Sequence, residues 1–308
     1  MAMREQNLKA MKSMPKRRMA LEILGFLAPA VIPLFLLTIA TLVFLYWVSL
    51  TNYELGKPLT SARFVGLENY IRLFSGKDPE FWKSVRLTLT MGVIATAVEL
   101  MLGIFIALLL DSALRGKGLF LSILMLPMVV TPVIVGLVWK LMLNSEHGVI
   151  NWLLAKIASA PPVWLGPKMS FTSVILVDVW QWTPFVALII LSGLSSLPIE
   201  PFEAAAIDGC NPLQVLWFIT LPLLRPIIML AVLFRLIDVL KVFDIIFVIT
   251  GGGLSTETLS LHSYRLGFGG PGWIGRASAT SIVLAFLVMG ISTFLIRQLQ
   301  HSYKERHT

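Results

Sequence analysis

Apolar residues in this chain fall in long blocks with few charges, separated by polar segments. The blocks cover about residues 26–50, 87–110, 119–143, 171–197, 226–250 and 277–296. Each is long enough for a helix to cross a hydrocarbon layer about 30 Å thick, which takes about 20 residues. Alternation with a period of two, the mark of a membrane barrel, is absent. Helices are expected because lipid forces backbone polar groups to pair within their own segment. The pattern therefore predicts an all-α polytopic membrane protein with six transmembrane helices. Few polar residues interrupt it. Glu99 stands alone in the second block, and Pro127 and Pro132 lie in the third. Asp178 and Pro184 lie in the fourth, and Arg235, Asp238, Lys241 and Asp244 in the fifth.

Composition sharpens this picture. Of 308 residues, 56% are hydrophobic and 14% charged, against about 25% charged in soluble proteins. A soluble two-domain enzyme, a disordered chain and a secreted disulfide scaffold are excluded, and the basic excess favours anchoring to anionic lipid over nucleic-acid binding. The lone cysteine, Cys210, removes intrachain disulfides and cysteine-based metal clusters. His147, His262, His301 and His307 are scattered, so no metal site is expected.

The net charge of +8 is placed for topology. Arg4, Lys9, Lys12, Lys16, Arg17 and Arg18 face only Glu5 in the first 18 residues. The positive-inside rule makes residues 1–22 a cytoplasmic tail and, with six spans, puts both termini in the cytoplasm. The balance elsewhere is weaker, with 12 basic residues inside and 10 outside. Residues 23–53 are uncharged, far beyond the about 7–15 residues of a signal peptide's apolar region, so an uncleaved first span is expected. Lys140 is expected to snorkel to the outer interface, where Trp152 and Trp164 also belong.

Two segments between spans carry more information. Residues 251–275 are glycine-rich, which favours unusual turns, but no Gly-x-x-x-x-Gly-Lys-Ser/Thr phosphate cradle exists in the chain. The chain is therefore not expected to hydrolyse ATP itself. Residues 198–226 predict a short helix, a sharp turn and a second short helix on the cytoplasmic side. Pro201 suits a helix start, Glu203 its positive end, and Ala204, Ala205 and Ala206 its body. Gly209 permits the turn, and Asn211-Pro212 opens a helix whose apolar face is Leu213, Leu216 and Trp217. An interfacial helix resting on the bilayer is the plain alternative.

Glu203-Ala204-Ala205, Gly209, Ile219 and Leu221-Pro222 resemble, at full spacing, the EAA motif of ABC importer permeases. The similarity runs along nearly the whole chain, towards the carbohydrate-uptake branch that includes maltose, trehalose and glycerol-phosphate importers. Phe64-Val65-Gly66-Leu67-Glu68-Asn69-Tyr70 resembles that branch's segment after the first span. Leu114-Arg115-Gly116-Lys117-Gly118 with Leu126-Pro127 resembles the approach to its core spans. Trp180-Gln181-Trp182-Thr183-Pro184-Phe185 resembles its W-x-x-x-P-F segment. Phe243-Asp244 with Thr250-Gly251-Gly252-Gly253 resembles its F-D…T-x-G-G-P ending, with Leu254 in place of the proline. The subunit type is similar to the maltose "F" partner.

The resemblance implies a type I importer transmembrane domain over residues 23–308, with coupling helices at about 199–219. Glu203, Ala204, Ala205, Asp208 and Gly209 would couple to an ATPase. Implied partners are a second, homologous permease subunit, two ABC ATPase subunits that bind the ATP and magnesium, and an extracytoplasmic solute-binding protein. The location would be a bacterial or archaeal cytoplasmic membrane. Carried over position by position, the sugar path comprises Asp178, Gln181, Trp182, Arg235, Asp238, Val239 and Val242, with Met128 and Pro132 from span three.

Elementary chemistry agrees for the polar members, since intramembrane charges must face a cavity or a partner. Carboxylates, amides and guanidinium groups satisfy sugar hydroxyls, and an indole packs on the ring. The alternative is an intrahelical ion ladder, most of all for Lys241 and Asp244. Glu99 is expected to bond a neighbouring helix. An ion-coupled secondary transporter, with span five as a proton relay, is the competing functional class. A membrane-embedded enzyme lacks any supporting motif.

Overall fold

The computed structural model describes residues 16–111, 116–157, 161–253 and 255–304, and the side chains from Gly25 to Gln300 among them. Arg4, Glu5, Lys9, Lys12, Leu114, Arg115, Leu254 and His307, named above, lie outside the described residues. The described residues form twelve α-helices: α1 (Lys16–Ser49), α2 (Glu68–Phe74), α3 (Pro79–Asp111), α4 (Lys117–Val129), α5 (Pro132–Met142), α6 (Val149–Leu154), α7 (Ser170–Leu194), α8 (Glu200–Ile207), α9 (Pro212–Val239), α10 (Asp244–Thr250), α11 (Leu259–Phe268) and α12 (Ile274–Lys304). Helices α1, α3, α7, α9 and α12 are each long and apolar enough to cross a membrane. The pair α4–α5 makes a sixth crossing if it is taken as one span bent by 93°.

That bend divides the third span, expected over about 119–143, into two helices. Pro132 opens α5, and the residue before it, Thr131, is extended at φ −61°, ψ 140°, as a following proline demands. Val130, at the end of α4, is also extended. Its carbonyl, which no helix bond can reach, accepts from Gln181 Nε2 at 3.0 Å. An apolar cavity of about 570 Å³ lies at the elbow, with Leu102, Ile123, Pro127, Trp139 and Trp180 in its wall.

The fifth span also departs from the expected 226–250. Helix α9 starts at Pro212, so the second short helix read from sequence is the first turns of the span itself. A widened π turn at Leu216–Thr220 precedes Pro222 and Pro226, two residues that cannot donate to the helix ladder. The helix stops at Val239, and α10 begins afresh at Asp244, where a carboxylate suits a helix N-terminus.

Helix α7 is the hub, with two-thirds of its span buried (67%). It packs most extensively against α3 and also touches α4, α5, α9 and α10. Small residues set the approach, as they do between helices in lipid. A Cβ on Gly103 would stand 2.6 Å from Val186 Cγ1 and 3.1 Å from the Ala187 nitrogen, and one on Gly193 2.8 Å from Ile227. Two apolar clusters fill the bundle. One gathers Met91, Ala95, Val174, Val177, Val239 and Ile245. The other gathers Ala107, Leu110, Val186, Ile190, Leu224 and Ala231. By contrast, α1 leans on α12, and no residue of its most apolar stretch is buried within the chain.

Outside the bundle, residues 51–68 fold over the start of α12. Thr51 pairs with Phe64, and Leu55 donates to the Gly272 carbonyl at 2.7 Å. Buried Asn69 donates to the Ser49 and Thr51 carbonyls, each at 2.8 Å, and so satisfies carbonyls left free where α1 ends.

Candidate functional site

Three helices bring charges together between the two apolar clusters. Along α3 Glu99 follows Ala95, along α7 Asp178 follows Val177, and along α9 Arg235 follows Ala231. The Arg235 guanidinium is the hub. Its Nε donates to Glu99 Oε2 at 2.6 Å and its Nη2 to Glu99 Oε1 at 2.7 Å, a bidentate pair. Nη2 also reaches Asp178 Oδ2 at 2.9 Å, and Nη1 reaches Asp238 Oδ2 at 3.1 Å. Trp182 covers the group with its ring centre 5.1 Å from the guanidinium carbon. Glu99, Asp178, Gln181 and Arg235 are all buried, while the Asp238 side chain is 54% exposed.

The structure thus sorts the residues proposed for a solute path. Asp238 is exposed, and Trp182, Val242, Met128 and Pro132 are half-buried. Asp178, Gln181, Arg235 and Val239 are buried within the chain. Glu99 finds the neighbouring-helix partner expected of it, and that partner is Arg235. Only the first rung of the proposed ion ladder, Arg235–Asp238, forms among the described residues. Lys241 and Asp244 lie past the end of α9 and are exposed. Lys140 reaches the Val248 carbonyl of α10 at 2.9 Å.

The second constellation is the knob between α7 and α9. Pro201 stands in the first turn of α8, with Glu200 and Glu203 beside the exposed N–H groups. The helix ends in a Schellman turn. Cys210 donates to the Ala205 carbonyl at 3.0 Å and Gly209 to that of Ala206 at 3.3 Å. Gly209 takes φ +70°, the left-handed conformation that favours glycine. A capping box follows at once. Asn211 Oδ1 accepts from the Gln214 N–H, and Gln214 Oε1 accepts from the Asn211 N–H, both at 2.8 Å. Glu203, Ala204, Asp208 and Gly209 are exposed, and Ala205 is buried against the bundle. Ile207, Leu213, Trp217 and Phe218 add exposed apolar surface.

A third cluster was not foreseen, because Asp78 lies 184 positions from the His262 it meets. His262 of α11 is buried between Glu257, 2.6 Å from its Nδ1, and Asp78, 3.2 Å from its Nε2. Arg265 closes on Glu257 at 2.8 Å. Burial disfavours the imidazolium, but the two carboxylates outweigh it and raise the pKa to about 9. The hydrogen bond from His262 holds Asp78 below the usual carboxylate range. The cluster ties the loop before α11 to the start of α3.

Residues 99–302 match the family described as binding-protein-dependent transport system inner membrane component. The chain is 42% identical over 279 residues to the probable ABC transporter permease protein y4oQ of Sinorhizobium fredii, covering 90% of this chain and 89% of that one. It is 37% identical over 256 residues to the trehalose/maltose transport system permease protein MalF of Thermococcus litoralis, covering 82% and 84%. A chain of a bacterial ABC transporter involved in the import of the acidic polysaccharide alginate superposes with a TM-score of 0.79 at 22% identity, covering 92% and 96%; that likeness is one of fold. The chain belongs to the binding-protein-dependent transport system inner membrane component family, and it is a membrane-spanning permease component of an ABC importer, not an enzyme.

Proposed function

We propose that this chain is one half of the transmembrane pathway of an ATP-driven importer for a carbohydrate or related polar solute. A second, homologous permease subunit forms the other half. Two ABC ATPase subunits bind ATP and magnesium on the cytoplasmic side, and an extracytoplasmic binding protein delivers the solute. The complex sits in a bacterial or archaeal cytoplasmic membrane with both termini of this chain inside. Nucleotide on the ATPases and solute on the outside bias one equilibrium between inward and outward access.

The observation that carries this reading is the knob at 200–214. A helix closed by a Schellman turn and followed directly by a capping box is a rigid lever between two spans. Of its outward residues, Glu203, Ala204 and Gly209 belong to the EAA motif, and Asp208 lies beside them. Such a part suits rigid-body transmission of motion from a separate ATPase. The solute path is assigned to the accessible residues Trp182, Asp238, Val242, Met128 and Pro132. Asp178, Gln181, Arg235 and Val239 support them from behind.

The test is uptake of labelled trehalose and maltose into proteoliposomes holding the complete complex. Uptake should require ATP and collapse in Glu203→Ala and Gly209→Val while the complex still assembles. Uptake driven by an ion gradient without ATP refutes the proposal, as does unaltered ATP-driven transport in both variants.

A further inference from the structure

We infer that the path wall built by this chain accepts neutral, hydroxyl-rich solutes and turns anions away. The inference rests on the proposed importer function and narrows its solute. Read along the sequence, Arg235 looks like a receptor for phosphate, sulfonate or carboxylate groups. The tertiary structure removes it from that role. Nε faces Glu99, Nη2 faces both Glu99 and Asp178, and Nη1 faces Asp238. One face of the group lies against Trp182. The guanidinium side chain is 2% exposed. One Nη1 hydrogen remains, and it sits beside a carboxylate that would repel an approaching anion.

What this wall does present is the Asp238 carboxylate. Oδ2 is fixed by Arg235, and Oδ1 stays open to accept hydrogen bonds from hydroxyl groups. The cluster of Glu99, Asp178, Asp238 and Arg235 holds three carboxylates against one guanidinium. An added anion therefore meets no uncompensated positive charge in the cluster, and it meets the outward Asp238 carboxylate, which repels it. Lys241, the nearest exposed cation in sequence on this stretch, lies between Asp238 and Asp244, both also exposed. Trp182, half-buried and edge-on to Phe185 at 6.2 Å, supplies an apolar ring surface for sugar C–H faces. Attraction for donors combined with repulsion of anions is a specificity device of two parts. Glu99 and Asp178 act here as positioning residues, because they hold Arg235 so that it fixes Asp238.

The experiment uses the complete importer in proteoliposomes, with its own binding protein, and four labelled probes. Trehalose and maltose are neutral; glycerol 3-phosphate and a galacturonate disaccharide are anionic. Wild type should carry at least one neutral probe faster than either anion by at least about tenfold. Asp238→Asn keeps the side-chain shape, and the binding protein is unchanged, so any shift reports on the permease. This variant should narrow the neutral-to-anion ratio at least about tenfold. Glu99→Gln should narrow it less, and Asp238→Glu should restore it. Equal or faster ATP-driven uptake of an anion by wild type overturns the inference and leaves the importer function standing. An unchanged ratio in Asp238→Asn does the same. Gradient-driven uptake without ATP that keeps the neutral preference overturns the importer function and leaves the selectivity standing.

Discussion

Arg235→Leu is the sharpest probe of the charged waist between α3, α7 and α9. The substitution is close in volume along the aliphatic stem, so its main effect is electrostatic. It leaves Glu99 and Asp178, at 0% and 1% exposure, without the cation they share. Removing one partner of a buried pair costs about 3–5 kcal/mol. Two buried carboxylates are orphaned here, so the upper part of that range is expected. Glu99→Gln is milder. Its amide oxygen still accepts from the guanidinium, and Asp178 and Asp238 still balance the charge. Its cost should stay near that of one charge-assisted hydrogen bond, about 1.5–3 kcal/mol. Combining Arg235→Leu with Glu99→Leu and Asp178→Leu removes the orphans together. Apolar replacement of a buried ionic group is often neutral or stabilising, so the triple variant should recover most of the loss. The assay is reversible SDS unfolding in bicelles, followed by tryptophan fluorescence. The reasoning fails if Arg235→Leu costs less than Glu99→Gln, or if the triple variant is no more stable than the single one.

Three further outcomes follow from the packing, the outer clasp and the knob. Gly103→Ala drives a methyl group into Val186 and the α7 backbone, and should cost about 1–3 kcal/mol; adding Val186→Ala should return part of it in the same assay, and full tolerance of Gly103→Ala would contradict the close approach of α3 and α7. His262 has a folded-state pKa of about 9, above its ordinary 6.5, so the clasp contributes fully below about pH 6.5 and fades as pH rises through about 9. Thermal melts between pH 6 and 9.5 should show wild type losing stability relative to His262→Ala across that window, and parallel curves would refute the ion-paired imidazolium. At Gly209 a Cβ would meet nothing within 4 Å, so only the backbone resists, by about 1–2 kcal/mol for an ordinary residue. Gly209→Asn should therefore preserve more ATP-driven uptake than Gly209→Val; the reverse order would count against a left-handed turn.

Much of the fold was legible because membrane insertion is written locally. Each block of uncharged residues carries its own signal, and lipid leaves few options besides the helix. The knob was legible for a related reason, since proline at a start, glycine at a left-handed end and Asn-x-x-Gln at a cap act within a few residues. Breaks were harder to place. Pro127 and Pro132 were visible, yet a proline inside a span can kink it mildly or break it. Gln181, from another helix, takes the carbonyl the break exposes. Glycines gave little warning either. Gly103 differs from Gly25 only in what stands opposite, Val186 in one case and open space in the other.

By itself, then, the sequence determined class, helical content, the approximate place of most spans and the helix–turn–helix of the knob, since these depend on hydrophobicity and short-range backbone chemistry. It also supplied the charged residues that belong inside the membrane. Which of them meet was decided only by tertiary structure. Glu99 lies 136 positions from Arg235 and Asp178 lies 57, and no local rule links them. Packing of α3, α7 and α9 turns an apparent anion receptor into a guanidinium already neutralised. Asp238 is left as the charge of that cluster that faces outward, because electrostatics acts over a few ångströms of space and takes no account of distance along the chain.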